Sequence, residues 1–476
     1  MNANRCGPTS FRATYLLLSL LVLAVPLAAQ APPLAPAQLA RIDSVFARWN
    51  LPSSAGCALG VSYRDQVVLE RAWGMAELEH GVPITPATIF EAGSVTKQFT
   101  TAAILLLAQE GKLSLDDDIR KHVPEVPDYG APITIRHLIH HISGLKDWGA
   151  IADIGGWPRG SRIYTHAHVL EIVSRQRTLN HPPGDEYIYS NTNYNLLAII
   201  AERVSGESLP ALTKRLIFDP LGMTRTGWRD DFQRLVPGRA QAYTGAGTNW
   251  RLQMPNENVY GNSSLLTTVG DLLIWSANAT HLRVGGEAFL REQLRQGRLT
   301  SGEEISYAGG VSVTRDEAGT LVSHTGATAG YRAYLGRLPD SGWAVAILCN
   351  AANAPPAPLG RGVVDALLKR APRPAVAAAP SATLQLSPGP TSPLEDYTGR
   401  YVSGDADVAY LAEVEAGYLV LWGQGARRIV LVSAGGDRFT SGGGELVFTR
   451  NPAGQVDGIH WSVERARNVR FVRERQ

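Results

Sequence analysis

The segment Val-Thr-Lys-Gln-Phe-Thr-Thr-Ala-Ala-Ile-Leu-Leu-Leu-Ala-Gln-Glu at residues 95–110 is apolar on nearly every face of a helix and stops at Gly111. A helix with no polar face to give to water must lie in the middle of a domain, so the rest of the chain has to cover it on all sides. Just ahead of this helix stands Glu91-Ala92-Gly93-Ser94-Val95-Thr96-Lys97. Residues at i and i+3 share one helical face, so the Lys97 ammonium can reach the Ser94 hydroxyl, and the helix N-terminus favours negative charge building there. Burial depresses a lysine pKa by about 3–5 units. Lys97 can therefore act as a base, or as a cation that lowers the pKa of a neighbouring tyrosine.

The flanking sequence supplies the cover. Residues 39–49 have helical spacing, and Cys57 to Tyr63 followed by Val67 to Ala72 reads as a hairpin. Residues 112–300 form a helix-rich insert with a clear helix from Tyr194 to Val204. Strand-like alternation returns over 305–350, and a helix follows from Gly362 to Leu368. One sheet built from both ends of the domain, with helices against it, fits this order. From Ala371 to Pro393 the composition turns to Ala, Pro and Ser, an extended linker. Beyond it, short alternating strands separated by Gly, Asp and Asn predict a small all-β barrel or meander over 394–476.

Arg5 and Arg12, the apolar run Tyr15–Val25 and the small-residue stretch up to Ala31 read as a secretory signal peptide, residues 1–31, placing the mature chain in the periplasm or outside the cell. An uncleaved anchor is the alternative, but the run falls short of the roughly 20 residues a membrane-spanning helix needs. The first folded domain is then 32–370. With 45 Lys+Arg against 43 Asp+Glu, the formal charge of +2 provides no dedicated phosphate-binding surface, so nucleic acid is not an expected partner. Loss of Cys6 with the signal leaves Cys57 and Cys349, each in a strand-like apolar run and read by default as a buried free thiol.

S-x-x-K alone is a weak signal, since Ser143-Gly-Leu-Lys146 also fits; it lies in a Gly-containing loop with no buried helix after it and reads as structural. Two further elements add weight. Tyr187-Ile-Tyr189-Ser-Asn191 opens the helix at Tyr194, offering a phenol for proton transfer and an amide to hold a carbonyl or Lys97. Tyr260-Gly-Asn262 also matches Y-x-N, but its neighbours look like a turn. His324-Thr325-Gly326-Ala327 precedes a strand and could aim a backbone N–H at a reacting carbonyl while His324 supplies a polar or cationic contact.

In this order, S-x-x-K, Y-S-N and H-T-G resemble the serine β-lactamase and penicillin-binding-protein superfamily, and within it the class C β-lactamase branch with its DD-peptidase, D-aminopeptidase and esterase relatives. The resemblance covers about residues 40–368 and includes the segments 111–118, Ile133–Leu138, Ser143-Gly-Leu145 and Pro220–Met223. It implies an α+β fold: a five-stranded antiparallel sheet flanked by helices, a helical subdomain, and the site at their junction, followed by a small C-terminal barrel. It implies Ser94 as nucleophile, Lys97 and Tyr189 as the proton-transfer pair, and Asn191, His324, Thr325, Gly326 and Ala327 as substrate-binding positions. The N–H groups of Ser94 and Ala327 would form the oxyanion hole. No cofactor and no metal are implied.

His324 stands where β-lactamases of this kind carry lysine. A neutral histidine gives a substrate carboxylate less charge to bind, so the resemblance points to peptidase and esterase relatives ahead of a strong β-lactamase. It also makes the first and last strands of the sheet neighbours, which keeps a Cys57–Cys349 bridge open. The H-x-x-H-H run at His137, His140 and His141 could suggest zinc, but no H-E-x-x-H accompanies it and the matching family segment is structural. The expected function is hydrolysis of an ester or amide through an acyl-enzyme on Ser94, with a small-molecule or peptide acyl substrate as partner. The alternative is a non-turnover penicillin-recognising binding or sensor protein.

Overall fold

The computed structural model describes residues 1–4, 7, 34–317, 319–371 and 389–474. The chain divides into two compact units, Met1–Pro32 and Pro33–Gln476, and every element named below belongs to the second. The expected signal peptide (1–31) and linker (371–393) fall largely outside the described residues. Among the described residues, no helix is long and apolar enough to cross a membrane.

Helix α1 (Pro36–Phe46) leads into strands β1 (Cys57–Tyr63) and β2 (Gln66–Trp73). Helices α2 (Lys97–Gln109), α3 (Asn191–Ser205) and α4 (Val269–His281) follow, then strands β3 (Ser312–Asp316), β4 (Gly319–Thr328), β5 (Tyr331–Leu338) and β6 (Trp343–Cys349), and helix α5 (Pro356–Leu367). Among the described residues six strands make one antiparallel sheet in the order β3-β4-β5-β6-β1-β2, one more than the five expected. The extra strand is β3, which pairs only with the first half of β4, from Gly319 to Ser323.

The central strands are apolar on both faces because both faces are covered. Cys57, Leu59 and Val61 of β1 and Val345, Ile347 and Cys349 of β6 pack against Ile42 and Phe46 of α1 and Leu359 and Val363 of α5. Ala58, Ala344 and Ala346 look the other way, toward Val269 and Leu272 of α4. Small residues on this face let α4 lie close: a methyl group on Gly60 would stand 3.0 Å from Leu273 Cδ1. Helix α2 is buried as its composition requires, with Phe99, Ile104 and Leu107 all inaccessible to solvent, each contributing about 1.5–3 kcal/mol of burial free energy.

Cys57 and Cys349 are directly opposed in the β1–β6 ladder and form a disulfide, so the free-thiol expectation is corrected. Each thiol sits in an apolar run, but it is the pairing register of two strands 292 residues apart that brings the sulfurs together.

The C-terminal region is a closed antiparallel barrel of eight strands, β7 (Gly399–Ser403), β8 (Val408–Glu415), β9 (Tyr418–Trp422), β10 (Arg428–Gly435), β11 (Arg438–Ser441), β12 (Gly444–Arg450), β13 (Val456–Val463) and β14 (Ala466–Arg473), each pairing with the next. It docks on the helical part of the region 32–370: the Tyr410 hydroxyl donates to the Ile154 carbonyl at 2.7 Å, and Gln176 Nε2 to the Asp405 carbonyl at 2.9 Å.

The unreduced protein lacking residues 1–31, and with them Cys6, should titrate with no free thiol after denaturation. Cys57→Ala/Cys349→Ala should unfold at lower denaturant, losing about 2–5 kcal/mol of stability.

Candidate active site

Chain geometry exposes Ser94 at one point in a buried stretch: within residues 91–100 it alone is not buried. The expected helix from Val95 begins instead as a 3₁₀ turn, Gly93–Thr96, which passes into α2 at Lys97. Residues i and i+3 eclipse in a 3₁₀ turn, which aligns Ser94 with Lys97. Gly93 makes the turn possible with φ +51°, a left-handed value that favours glycine.

The third motif meets this turn edge-on. Because β3 ends opposite Ser323, residues 324–328 of β4 are paired on one side only, to β5. Their other edge lies against the 3₁₀ turn, backbone to backbone. A methyl group on Gly326 would stand 2.0 Å from the Ala92 carbonyl oxygen and 3.1 Å from the Ser94 nitrogen, and one on Gly93 would stand 2.5 Å from the Ala327 nitrogen. Both positions must be glycine for the main chains of Ser94 and Ala327 to come this close.

A buried ion pair anchors the crossing from behind. Arg229 clamps Glu91, three residues before Ser94, with Nε and Nη2 at 2.7 and 3.2 Å, and Glu91 also accepts from the Ser264 N–H. Both side chains are almost entirely shielded, at 1% and 0% exposure.

Lys97 is also fully buried, and its Nζ contacts Ser94 Oγ at 3.2 Å, Asn191 Oδ1 at 3.0 Å and the Asn262 carbonyl oxygen at 2.7 Å. Burial pushes its pKa well below the ordinary lysine value, helped by the charges of Arg159 and Arg465 and opposed by Asp147. In the neutral amine, two N–H groups serve the acceptors Asn191 and Asn262, and the lone pair is left facing the Ser94 hydroxyl. Burial raises the Tyr189 phenol far above its ordinary range, against the smaller opposing pull of Ser94. Of the two roles read for Lys97, the environment thus favours the base, because it keeps Tyr189 protonated.

Asn191 is the first residue of α3, and its N–H donates to Asp147 Oδ2 at 2.6 Å. His324 has both ring nitrogens engaged: Nδ1 donates to the Thr325 carbonyl at 2.5 Å, and Nε2 accepts from the Tyr307 hydroxyl at 3.1 Å. Burial and the Lys97 charge push its pKa down to about 4, so it is neutral at pH 7. The cationic contact considered for His324 is therefore not available from this ring.

Sequence reasoning missed four participants. Asn262 lies in the second Y-x-N match, and it enters through its main-chain carbonyl. Tyr307 holds His324. His141 packs tilted against Tyr189 at 4.2 Å between centroids, with Nδ1 accepting from the Ser190 N–H. Arg465 comes from the barrel. Ser143, in the second S-x-x-K, donates to Asn193 Oδ1 at 2.7 Å and tethers α3. His137 and His140 bond separately, to Thr134 and the Arg295 carbonyl.

A profile described as beta-lactamase matches residues 49–369. A D-aminopeptidase of Gluconobacter oxydans (strain 621H) is 27% identical over 316 residues, 66% of this chain and 59% of that protein. A penicillin-binding protein of Bacillus subtilis (strain 168) is 28% identical over 291 residues, 58% of this chain and 63% of its own length. The chain thus spans about three fifths of the curated relatives it matches. The octameric penicillin-binding protein homologue from Pyrococcus abyssi superposes with a TM-score of 0.61 at 23% identity, over 92% of this chain and 99% of the other.

Arg229→Met should leave the Glu91 carboxylate buried without its partner and lower stability by about 3–5 kcal/mol in a denaturant melt. An unchanged midpoint would show that the pair does not support the crossing.

Proposed function

The chain belongs to the beta-lactamase family, and on that ground we propose that it is a serine hydrolase of periplasmic or secreted location that cleaves ester or amide bonds through an acyl-enzyme on Ser94. The observation that carries this reading is Lys97: buried, depressed in pKa, and 3.2 Å from the Ser94 hydroxyl with two fixed acceptors for its own protons.

Ser94 Oγ attacks the acyl carbonyl while its proton passes to Lys97 Nζ. The carbonyl oxygen becomes an oxyanion held by the N–H groups of Ser94 and Ala327, which the Gly93–Gly326 crossing brings side by side. Collapse of the tetrahedral intermediate breaks the bond to the leaving group, which takes a proton from Lys97 through the Tyr189 phenol. Water then repeats the sequence on the acyl-enzyme, with Lys97 again neutral and acting as base. Asn191 and Thr325 stand beside Ser94 and Lys97, and the D-aminopeptidase relative favours a peptide or amide substrate with a D-residue.

Intact-protein mass after exposure to a fluorophosphonate and to a penicillin should show one adduct mapping to Ser94. Turnover of p-nitrophenyl esters, nitrocefin or a D-Ala-D-Ala peptide then names the bond cleaved. Ser94→Ala should lower turnover by about 10⁴-fold or more, while Ser143→Ala should still be labelled. A stable adduct without turnover would assign the chain as the non-turnover binding protein.

The pH dependence follows from the two shifts. Lys97 must be neutral and Tyr189 protonated, so kcat/KM should rise as pH increases through the lowered lysine pKa and hold beyond neutrality, since the tyrosine pKa is raised. A kcat/KM that falls as pH rises through 7 would rule out Lys97 as the base.

A further inference from the structure

A tyrosine that passes a proton must hold its phenol still, and the chain on either side of Tyr189 is held by one residue. The Ile188 N–H donates to the His141 carbonyl at 3.0 Å, and the Ser190 N–H donates to His141 Nδ1 at 3.2 Å. The imidazole itself lies against the phenol, tilted by 36° with 4.2 Å between the ring centroids. His141 thus touches the backbone before Tyr189, the backbone after it, and the ring between.

His141 is in turn held in one state. Its φ is +58°, in the left-handed region that histidine, asparagine and aspartate enter more readily than most residues. It is fully buried, with the rings of Tyr307 and Tyr194 at 4.8 and 5.1 Å from its own. Asn193 Oδ1 accepts from the Ser143 hydroxyl, which turns the Asn193 amide nitrogen toward His141 Nδ1, 3.2 Å away. Nδ1 therefore receives two N–H groups and carries no proton, leaving the ring hydrogen on Nε2. Burial, helped by the nearby Lys97 charge, holds the imidazole pKa well below its ordinary value and keeps the ring neutral. The Nε2–H has no partner among the described residues. A phenylalanine would pack here without leaving a buried donor unpaired, so packing alone does not account for a histidine.

We propose that His141 is a positioning residue for Tyr189, whose Nδ1 acceptor and ring together set where the phenol meets the leaving group. This inference rests on the Ser94 hydrolase reading and concerns one step of it, the delivery of the proton. As the bond to the acyl carbon breaks, the leaving oxygen or nitrogen takes the phenol hydrogen, and the phenol takes one from the Lys97 ammonium. A p-nitrophenolate departs as a stable anion and draws little on this proton, whereas an alkoxide or an amide anion cannot depart without it. The cost of misplacing the phenol therefore depends on the leaving group.

The test compares kcat/KM for the p-nitrophenyl and ethyl esters of one acyl group, on the protein lacking residues 1–31. His141→Phe, which keeps a ring but has no acceptor, should lose at least about ten-fold more on the ethyl ester than on the p-nitrophenyl ester, with the loss in kcat rather than KM. His141→Asn, whose Oδ1 takes the place of Nδ1 and which tolerates the left-handed φ, should recover most of that difference. His141→Gln, whose longer amide reaches toward the Nε2 position instead, should not, and it stands in for His141→Phe if that variant does not fold. Equal losses on both esters, or His141→Asn no better than His141→Gln, would show a merely structural role and overturn the proposal. So would a wild type that turns over the p-nitrophenyl ester alone, since no proton is then delivered. Labelling of Ser94 by the fluorophosphonate without turnover of either ester, or no labelling at all, is a different result, which removes the hydrolase reading first and the positioning role with it.

Discussion

Burying a lysine nitrogen away from solvent is the constraint on which the rest of the site depends. An isolated ammonium in such a place loses several kcal/mol of hydration, and the protein offsets this by surrounding Lys97 with acceptors and by letting it give up its proton. The three oxygens come from three distant parts of the chain: the turn before α2, the first residue of α3, and the loop at Asn262. Anything that displaces one of them changes the cost of the charge and so the basicity of the nitrogen. The close crossing at Gly93 and Gly326 and the Glu91–Arg229 clamp are the means by which the backbone holds these positions.

Asp147 links the barrel to the same network. Its backbone N–H bonds to the Arg465 carbonyl, while its side chain holds the Asn191 N–H, and Asn191 in turn holds Lys97. A chain of three residues thus runs from the hairpin tip of one region to the base in the other. Its negative charge opposes the depression of the lysine, so the same residue that fixes the barrel also moderates the base.

Much of this was legible before any coordinates. The all-apolar helix announced itself by composition, Tyr189, Asn191 and the H-T-G segment were singled out by their resemblance to the family's motifs, and Ser94 and Lys97 also by spacing, because side chains that must meet on one helical face leave a periodic trace. The alternating C-terminal strands foretold the barrel for the same reason. What escaped notice lacked such a trace. Asn262 contributes a main-chain carbonyl, which every residue has. Tyr307 and Arg465 act across folds of the chain that no local pattern encodes, and the Cys57–Cys349 bridge depends on strand register. The 3₁₀ start of α2 was hidden by its apolar composition, and the sixth strand by its exposed, polar edge.

The place of β1, between β2 and the last-made strand β6, has a consequence for the order of assembly. Until residue 349 has been made, β1 has one unsatisfied edge, and the sheet cannot close by any local route. Loop-closure entropy makes such distant pairing slow. The barrel is the opposite case, a meander in which every strand finds its partner next in sequence, except for the pairing of β7 and β14 that closes it. Folding of this chain therefore runs in two tempos, a slow knitting of chain ends in the region 32–370 and a quick winding of the barrel, and Arg465, at the tip of the β13–β14 hairpin, comes to lie over the Tyr189 ring only when both are complete.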